Sequence, residues 1–224
     1  MHNKVYAMHT GVLADAELFR ALYDRMPAER QRKIDRYRFD KDKRLSLGAG
    51  LLLQKGLADC GLPTAAELVR GENEKPFLRD SEQFFFNLSH SGEIAVCAVS
   101  DRPVGVDVET RAHFEPSLVR RVFLPDEIAW IAAQAAPADE LYTDLWTIKE
   151  SLMKYLGTGL SLDPRKIRVD QREGITAAAE GYDCSALFFR PYSIPGYSLT
   201  VCAEYDAFPD QLEWVDPAAR PARG

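Results

Sequence analysis

The sequence predicts an α+β protein of two similar halves, each with helices followed by an antiparallel sheet, related by a pseudo-twofold. Three observations predict this. A basic helical stretch over residues 27–61 precedes three strand-like runs joined by short turns, which implies antiparallel pairing. The second half repeats the order, helices before strands. Two cysteine-centred runs, "AVCAVSD" ending at Asp101 and "TVCAEYD" ending at Asp206, echo one another across the halves. The boundary falls near Asp101 to Val104, which divides the chain into 1–103 and 104–224. No low-complexity linker separates the halves, so tight packing is expected.

In the first half, "PAERQRKIDRYRFDKDKRLSLGAGLLLQKGLADCG" opens near Pro27 and closes at Gly61, the residues that suit a helix start and stop. Turn residues around "GENEKP" lead to the strands "FFFN" and "EIAVCAVS", and "DRP" turns into "VGVDVE". In the second half, "PSLVRRVFLPDEIAWIAAQ" is helical and broken at Pro125. "ADELYTDLWTIKESLMKYLG" is a long amphipathic helix, and Gly157 and Gly159 suit its C-terminal stop. The strands "KIRVD", "ALFFR" and "YSLTVCAEY" follow.

Composition narrows the function. With 224 residues, 46% of them hydrophobic, the chain can bury a substantial core. A net charge of -6, from 28 Lys+Arg and 34 Asp+Glu, lacks the basic footprint of a nucleic-acid binder. No apolar run approaches the roughly 20 residues that span a bilayer, and the start lacks the apolar region of a secretory signal. The four cysteines form no CxxC pair, and Cys97 and Cys202 sit in apolar strands. Buried, inert thiols and a cytoplasmic location are expected.

Three constellations carry chemistry. In "VGVDVE", Asp107 and Glu109 are two apart and project from one strand face. A hard cation such as Mg²⁺ takes such oxygens together with phosphate oxygens and water. In "LWTIKESLMKYLGTGL", Trp146, Glu150 and Lys154 stack on one helix face, with Lys149 beside them. In "FNLSHSG", Ser89 and His90 stand where the chain turns and offer donors to a phosphate. Read alone, each has a plainer meaning: a polar strand face, a surface ion pair, and a capped turn.

"VGVDVE" and "WTIKESLMKYLGTGL" resemble the two signature motifs of the 4′-phosphopantetheinyl transferases. "EKP" at 74–76 and "NLSHS" at 87–91 resemble those of the surfactin-synthetase-activating (Sfp-type) branch, whose members are monomeric. The resemblance runs from about Pro27 to Asp206. It implies the fold of that family. It also implies transfer of the 4′-phosphopantetheine group from coenzyme A to a serine of an apo carrier protein, with Mg²⁺, releasing adenosine 3′,5′-bisphosphate. By the same resemblance Asp107, Glu109 and Glu150 hold the metal. Glu150 takes the serine proton, directly or through water, and Lys154 stabilises the leaving phosphate. Lys75, Ser89 and His90 meet the coenzyme's phosphates, Arg44 its nucleotide end, and Arg32 is a weaker candidate for the 3′-phosphate. Lys149 has no assigned role.

Two residues depart from the family pattern. Glu74 replaces the usual glycine before Lys75, and Glu29 stands where some members carry a cation. The carrier is expected to dock after Gly157, on "GTGLSLDPRKIRV" with Arg165, Lys166 and Arg168. Two alternatives stay open on sequence. One is a non-catalytic coenzyme A or nucleotide-binding module of the same fold; the other is a Mg²⁺-dependent phosphohydrolase.

Overall fold

The computed structural model describes residues 3–71, 73, 75–79, 81 and 83–219. β1 (Lys4–His9) buries Val5 and Ala7 on one face and Tyr6 and Met8 on the other. A strand apolar on both faces needs cover on both sides, and this sets the architecture. After α1 (Ala16–Tyr23), α2 (Ala28–Asp35) folds back on α3 (Asp40–Asp59). The basic stretch is thus two helices and not one. Phe39 is extended and begins α3, and Asp40 and Asp42 in the first turn favour a helix start there.

The hairpin β2 (Leu68–Arg70) and β3 (Pro76–Leu78) follows, then β4 (Phe85–Ser91), β5 (Ile94–Ser100) and β6 (Val104–Thr110). The second helical group is α4 (Pro116–Val122), α5 (Pro125–Ala132) and α6 (Ala138–Leu156). The chain continues through β7 (Ile167–Asp170), β8 (Thr176–Ala179), β9 (Phe188–Ile194) and β10 (Tyr197–Ala203), and ends its regular structure at β11 (Glu213–Trp214). Pro125 opens α5, as its fixed φ suits a first helical position. β1, α1, β2, β3, β8 and β11 were not anticipated from sequence.

One sheet has the order β11-β1-β5-β4 and the other β6-β10-β9. The run β4, β5, β6 therefore does not form one antiparallel sheet. β4 and β5 pair antiparallel, but β6 pairs with β10 over its whole length. The reason is that β5 is buried on both faces. Val104, Val106 and Val108 stack on Ile94, Val96 and Ala98 across the sheets, so the chain changes sheet between Ser100 and Val104.

The result is four layers. α3 covers one sheet through Tyr6, Met8, Cys97 and Val99. The two sheets share the valine-rich core between them. α6 covers the far face through Leu152, Met153 and Cys202. Sheet order β4-β5-β1 in the first half matches β9-β10-β6 in the second, and α3 matches α6. Among the described residues, no helix is long and apolar enough to cross a membrane.

Candidate active site

β6 and α6 build the site. The valines of β6 point into the shared core, so Gly105, Asp107 and Glu109 face α6. A Cβ on Gly105 would lie 2.0 Å from the Ser151 carbonyl oxygen, so only glycine lets the helix rest directly on the strand. That contact brings the helix face bearing Glu150 and Lys154 to Asp107.

Asp107 is only 2% exposed. Its Oδ1 accepts from Lys154 Nζ at 2.6 Å and from the Ser89 hydroxyl at 2.8 Å. Lys154 Nζ is also 2.9 Å from Ser89 Oγ. The Ser91 hydroxyl donates to Glu109 Oε2 at 2.8 Å. Burial and the neighbouring Asp107 push the Glu150 carboxyl up to about 7, and raise Glu109 as well. All three carboxylates line a cleft of about 290 Å³ with Lys154, Trp146, Ser89, His90, Arg30 and Lys33.

The sequence profile of the 4′-phosphopantetheinyl transferase superfamily matches residues 103–202, and that of the 4′-phosphopantetheinyl transferase N-terminal region matches residues 14–102. A 4′-phosphopantetheinyl transferase of Bacillus subtilis is 31% identical over 214 residues, covering 91% of this chain and 95% of its own. The chain belongs to the 4′-phosphopantetheinyl transferase family. The transferase psf-1 of Bacillus pumilus is 29% identical over 219 residues, 94% of each chain. The transferase gsp of Aneurinibacillus migulanus is 29% identical over 197 residues, 86% of this chain and 82% of its own.

In this transferase Ser89, His90, Asp107, Glu109, Glu150 and Lys154 come together in one cleft. Lys75 is engaged elsewhere. Its Nζ donates to the carbonyls of Lys154 at 2.6 Å and Tyr155 at 3.0 Å, in the last turn of α6. Asn73 Nδ2 donates to the Gly157 carbonyl at 2.9 Å. A cation on the terminal carbonyls stabilises a helix end, so the β2–β3 hairpin fastens α6 where Gly157 (φ 73) stops it. Burial lowers Lys75 to about 8. Glu74 lies outside the described residues.

Arg44 opens onto a different cleft, beside Tyr23 and Asp35. The helical repeat explains this: Ser46 of α3 faces the carboxylate cleft, and a residue two positions away points to nearly the opposite side. Arg32 is exposed and lines neither cavity, while Glu29 lines an adjoining one. The cations that reach the carboxylate cleft are Arg30 and Lys33, which sequence reasoning missed. Their i, i+3 spacing on one helix face was the available signal.

Lys149 is fully buried and structural. Its Nζ donates to Glu127 Oε2 at 2.7 Å and to the carbonyls of Val122 at 3.2 Å and Pro164 at 3.0 Å. Glu127 in turn accepts from the amides of Leu124 and Val169. This pair ties α4, α5 and β7 to α6.

The donor set suits a hard divalent cation. Asp107 Oδ2 is buried and has no hydrogen-bond partner among the described residues. Two more carboxylates line the same cleft, and burial first, then the neighbouring Asp107, raises their affinity for protons. Among the described residues these groups are not drawn together as a ready-made metal centre, and Lys154 is ion-paired to Asp107 Oδ1.

Proposed function

We propose that this transferase moves the 4′-phosphopantetheine arm of coenzyme A to a serine of an apo carrier protein, releasing adenosine 3′,5′-bisphosphate, with Mg²⁺ as the metal. The observation that carries the reading is the pairing of charges in one cleft. Asp107, Glu109 and Glu150 face a space that Arg30, Lys33 and Lys154 also enter. Oxygens for a cation beside cations for phosphates would suit a metal and a pyrophosphate bound together.

Asp107, Glu109 and Glu150 would hold the metal. A cation held there would supply neutralisation of the pyrophosphate charge and polarisation of the reacting phosphorus. The carrier serine oxygen forms a bond to the phosphorus that bears the pantetheine arm. The P–O bond to the second phosphate breaks, and its electron pair leaves with the bisphosphate. Glu150 takes the serine proton, directly or through a water. Lys154 stabilises the charge that grows on the leaving phosphate.

A second cavity of about 300 Å³ shares Arg30, Lys33 and Leu88 with the carboxylate cleft. Met26, Leu53, Leu57, Leu68 and Pro76 make much of it apolar, and Arg70 adds charge. Its apolar walls suit the adenine of coenzyme A, and Arg30, Lys33 and Arg70, set against Glu29 and Glu67, leave one net positive charge for the 3′-phosphate. His90 lines the carboxylate cleft, where it would meet a phosphate.

The carrier docks after Gly157, where Leu160 is 73% exposed. Arg165, Lys166 and Arg168 are ion-paired to Asp163, Glu180 and Asp126, so this face offers an apolar contact within a balanced charge rim. The buried thiols of Cys97, Cys184 and Cys202 fit a reducing cytoplasm.

Incubation with coenzyme A, Mg²⁺ and a panel of apo carriers tests the reading. Mass spectrometry should show a gain of about 340 Da on the carrier, the mass of the transferred group. No gain on any carrier that a reference transferase does load would overturn it.

A further inference from the structure

β4 and β6 lie side by side at the junction of the two halves, yet they belong to different sheets. Three polar side chains of β4 replace the carbonyls that a partner strand would offer. Asn87 Oδ1 accepts from the Val106 amide at 3.0 Å. Ser89 Oγ accepts from Val108 at 3.3 Å, and Ser91 Oγ from Thr110 at 3.1 Å. The spacing follows from the pleat, because residues two apart share a face. The opposite edge of β6 is already paired with β10.

A hydroxyl can accept and donate at once, whereas an amide oxygen only accepts. The serines therefore do more than close the seam. The Ser91 proton goes to Glu109 Oε2 and the Ser89 proton to Asp107 Oδ1, each at 2.8 Å. Each carboxylate sits one residue before the amide that its serine accepts from, which closes a small ring. Ser89 Oγ also meets Lys154 Nζ, so its single proton is committed to Asp107 and none remains for a phosphate.

We propose that Ser91 and Ser89 are positioning residues, which fix the side-chain orientation of Glu109 and Asp107 so that one sheet aims the metal-binding carboxylates carried by the other. This rests on the reading of those carboxylates as holders of the metal. Oriented ligands bind a metal more tightly because the protein has already fixed their freedom. Asn87 supplies the control, as it serves a β6 amide in the same way but touches neither carboxylate.

The test titrates Mn²⁺ into the protein in the presence of coenzyme A and reads free ion by electron paramagnetic resonance, with melting curves alongside. Ser91→Ala should raise the Kd for Mn²⁺ about tenfold, in the range of other lost outer partners of metal ligands. Ser91→Thr, which keeps the hydroxyl, should restore wild-type affinity. Asn87→Ala should lower the Tm as Ser91→Ala does and bind Mn²⁺ as the wild type does. If Ser91→Ala does not fold, Ser91→Cys, similar in size with a weak donor, takes its place. Wild-type Mn²⁺ affinity in the serine variant, or an equal loss in Asn87→Ala, would overturn the positioning role. Equal Mn²⁺ binding by the wild type and Asp107→Ala would instead overturn the metal reading beneath it.

Discussion

A β-carbon placed on Gly105 would lie 2.0 Å from the carbonyl oxygen of Ser151 and 2.5 Å from the amide nitrogen of Tyr155. Both neighbours are helix backbone, which cannot rotate aside as a side chain can. Gly105→Ala should therefore displace α6 from β6. Overpacking of this kind costs about 1–3 kcal/mol, and a rigid backbone neighbour places it at the upper end. Urea unfolding measures the loss. Transfer should fall further than stability does, since Glu150 and Lys154 move away from Asp107.

On the proposed reading, Asp107→Ala should lower transfer by about 10³-fold or more, because it would take an oxygen from the metal and removes the partner of Lys154. Glu150→Gln should be similarly severe. Glu109→Ala should be milder, since water can replace one ligand of a hard cation. Turnover by Asp107→Ala at ordinary Mg²⁺ would remove the carboxylates from the mechanism.

Lys154→Ala separates chemistry from binding. Its ammonium contacts Asp107 and Ser89 inside the cleft and is only 25% exposed, so it is no surface ion pair. A cation at a developing phosphate charge favours the transition state over the ground state. The kcat should fall by about 10²-fold with a smaller change in the KM for coenzyme A. An unchanged kcat in a folded variant would exclude the role.

Lys75→Met tests a helix-end role against a phosphate contact. The side chain holds the carbonyls of Lys154 and Tyr155. Its removal should lower stability by about 1 kcal/mol after solvent screening. The activity loss should fall on coenzyme A and carrier alike, because the end of α6 serves both. A rise confined to the KM for coenzyme A would return Lys75 to the phosphates.

Lys149→Met leaves Glu127 charged and unpaired in the interior. Breaking a buried pair from one side costs about 3–5 kcal/mol, measurable by denaturant unfolding. Glu127→Gln added to it should recover only part of that loss: it removes the orphaned charge, but the amides of Leu124 and Val169 meet different oxygens of Glu127, and a glutamine oxygen can keep only one of those bonds.

By itself, the sequence determined the elements with strong local signals. The period of α6, its stop at Gly157 and the alternation of β6 were legible because they depend on neighbours a few residues away. So was the grouping of Asp107 with Glu109 and of Glu150 with Lys154, since a strand face and a helix face are local geometry. Only the tertiary structure decided what each face meets. It placed β6 in the second sheet, because strands buried on both faces can stack as readily as they pair. It gave the cleft Arg30 and Lys33 and turned Arg44 to another, because the way α2 folds back on α3 is not encoded in either helix alone. It also made serines of β4 the partners of carboxylates on β6, since hydrogen bonds between two sheets depend on a register that no short stretch of sequence contains.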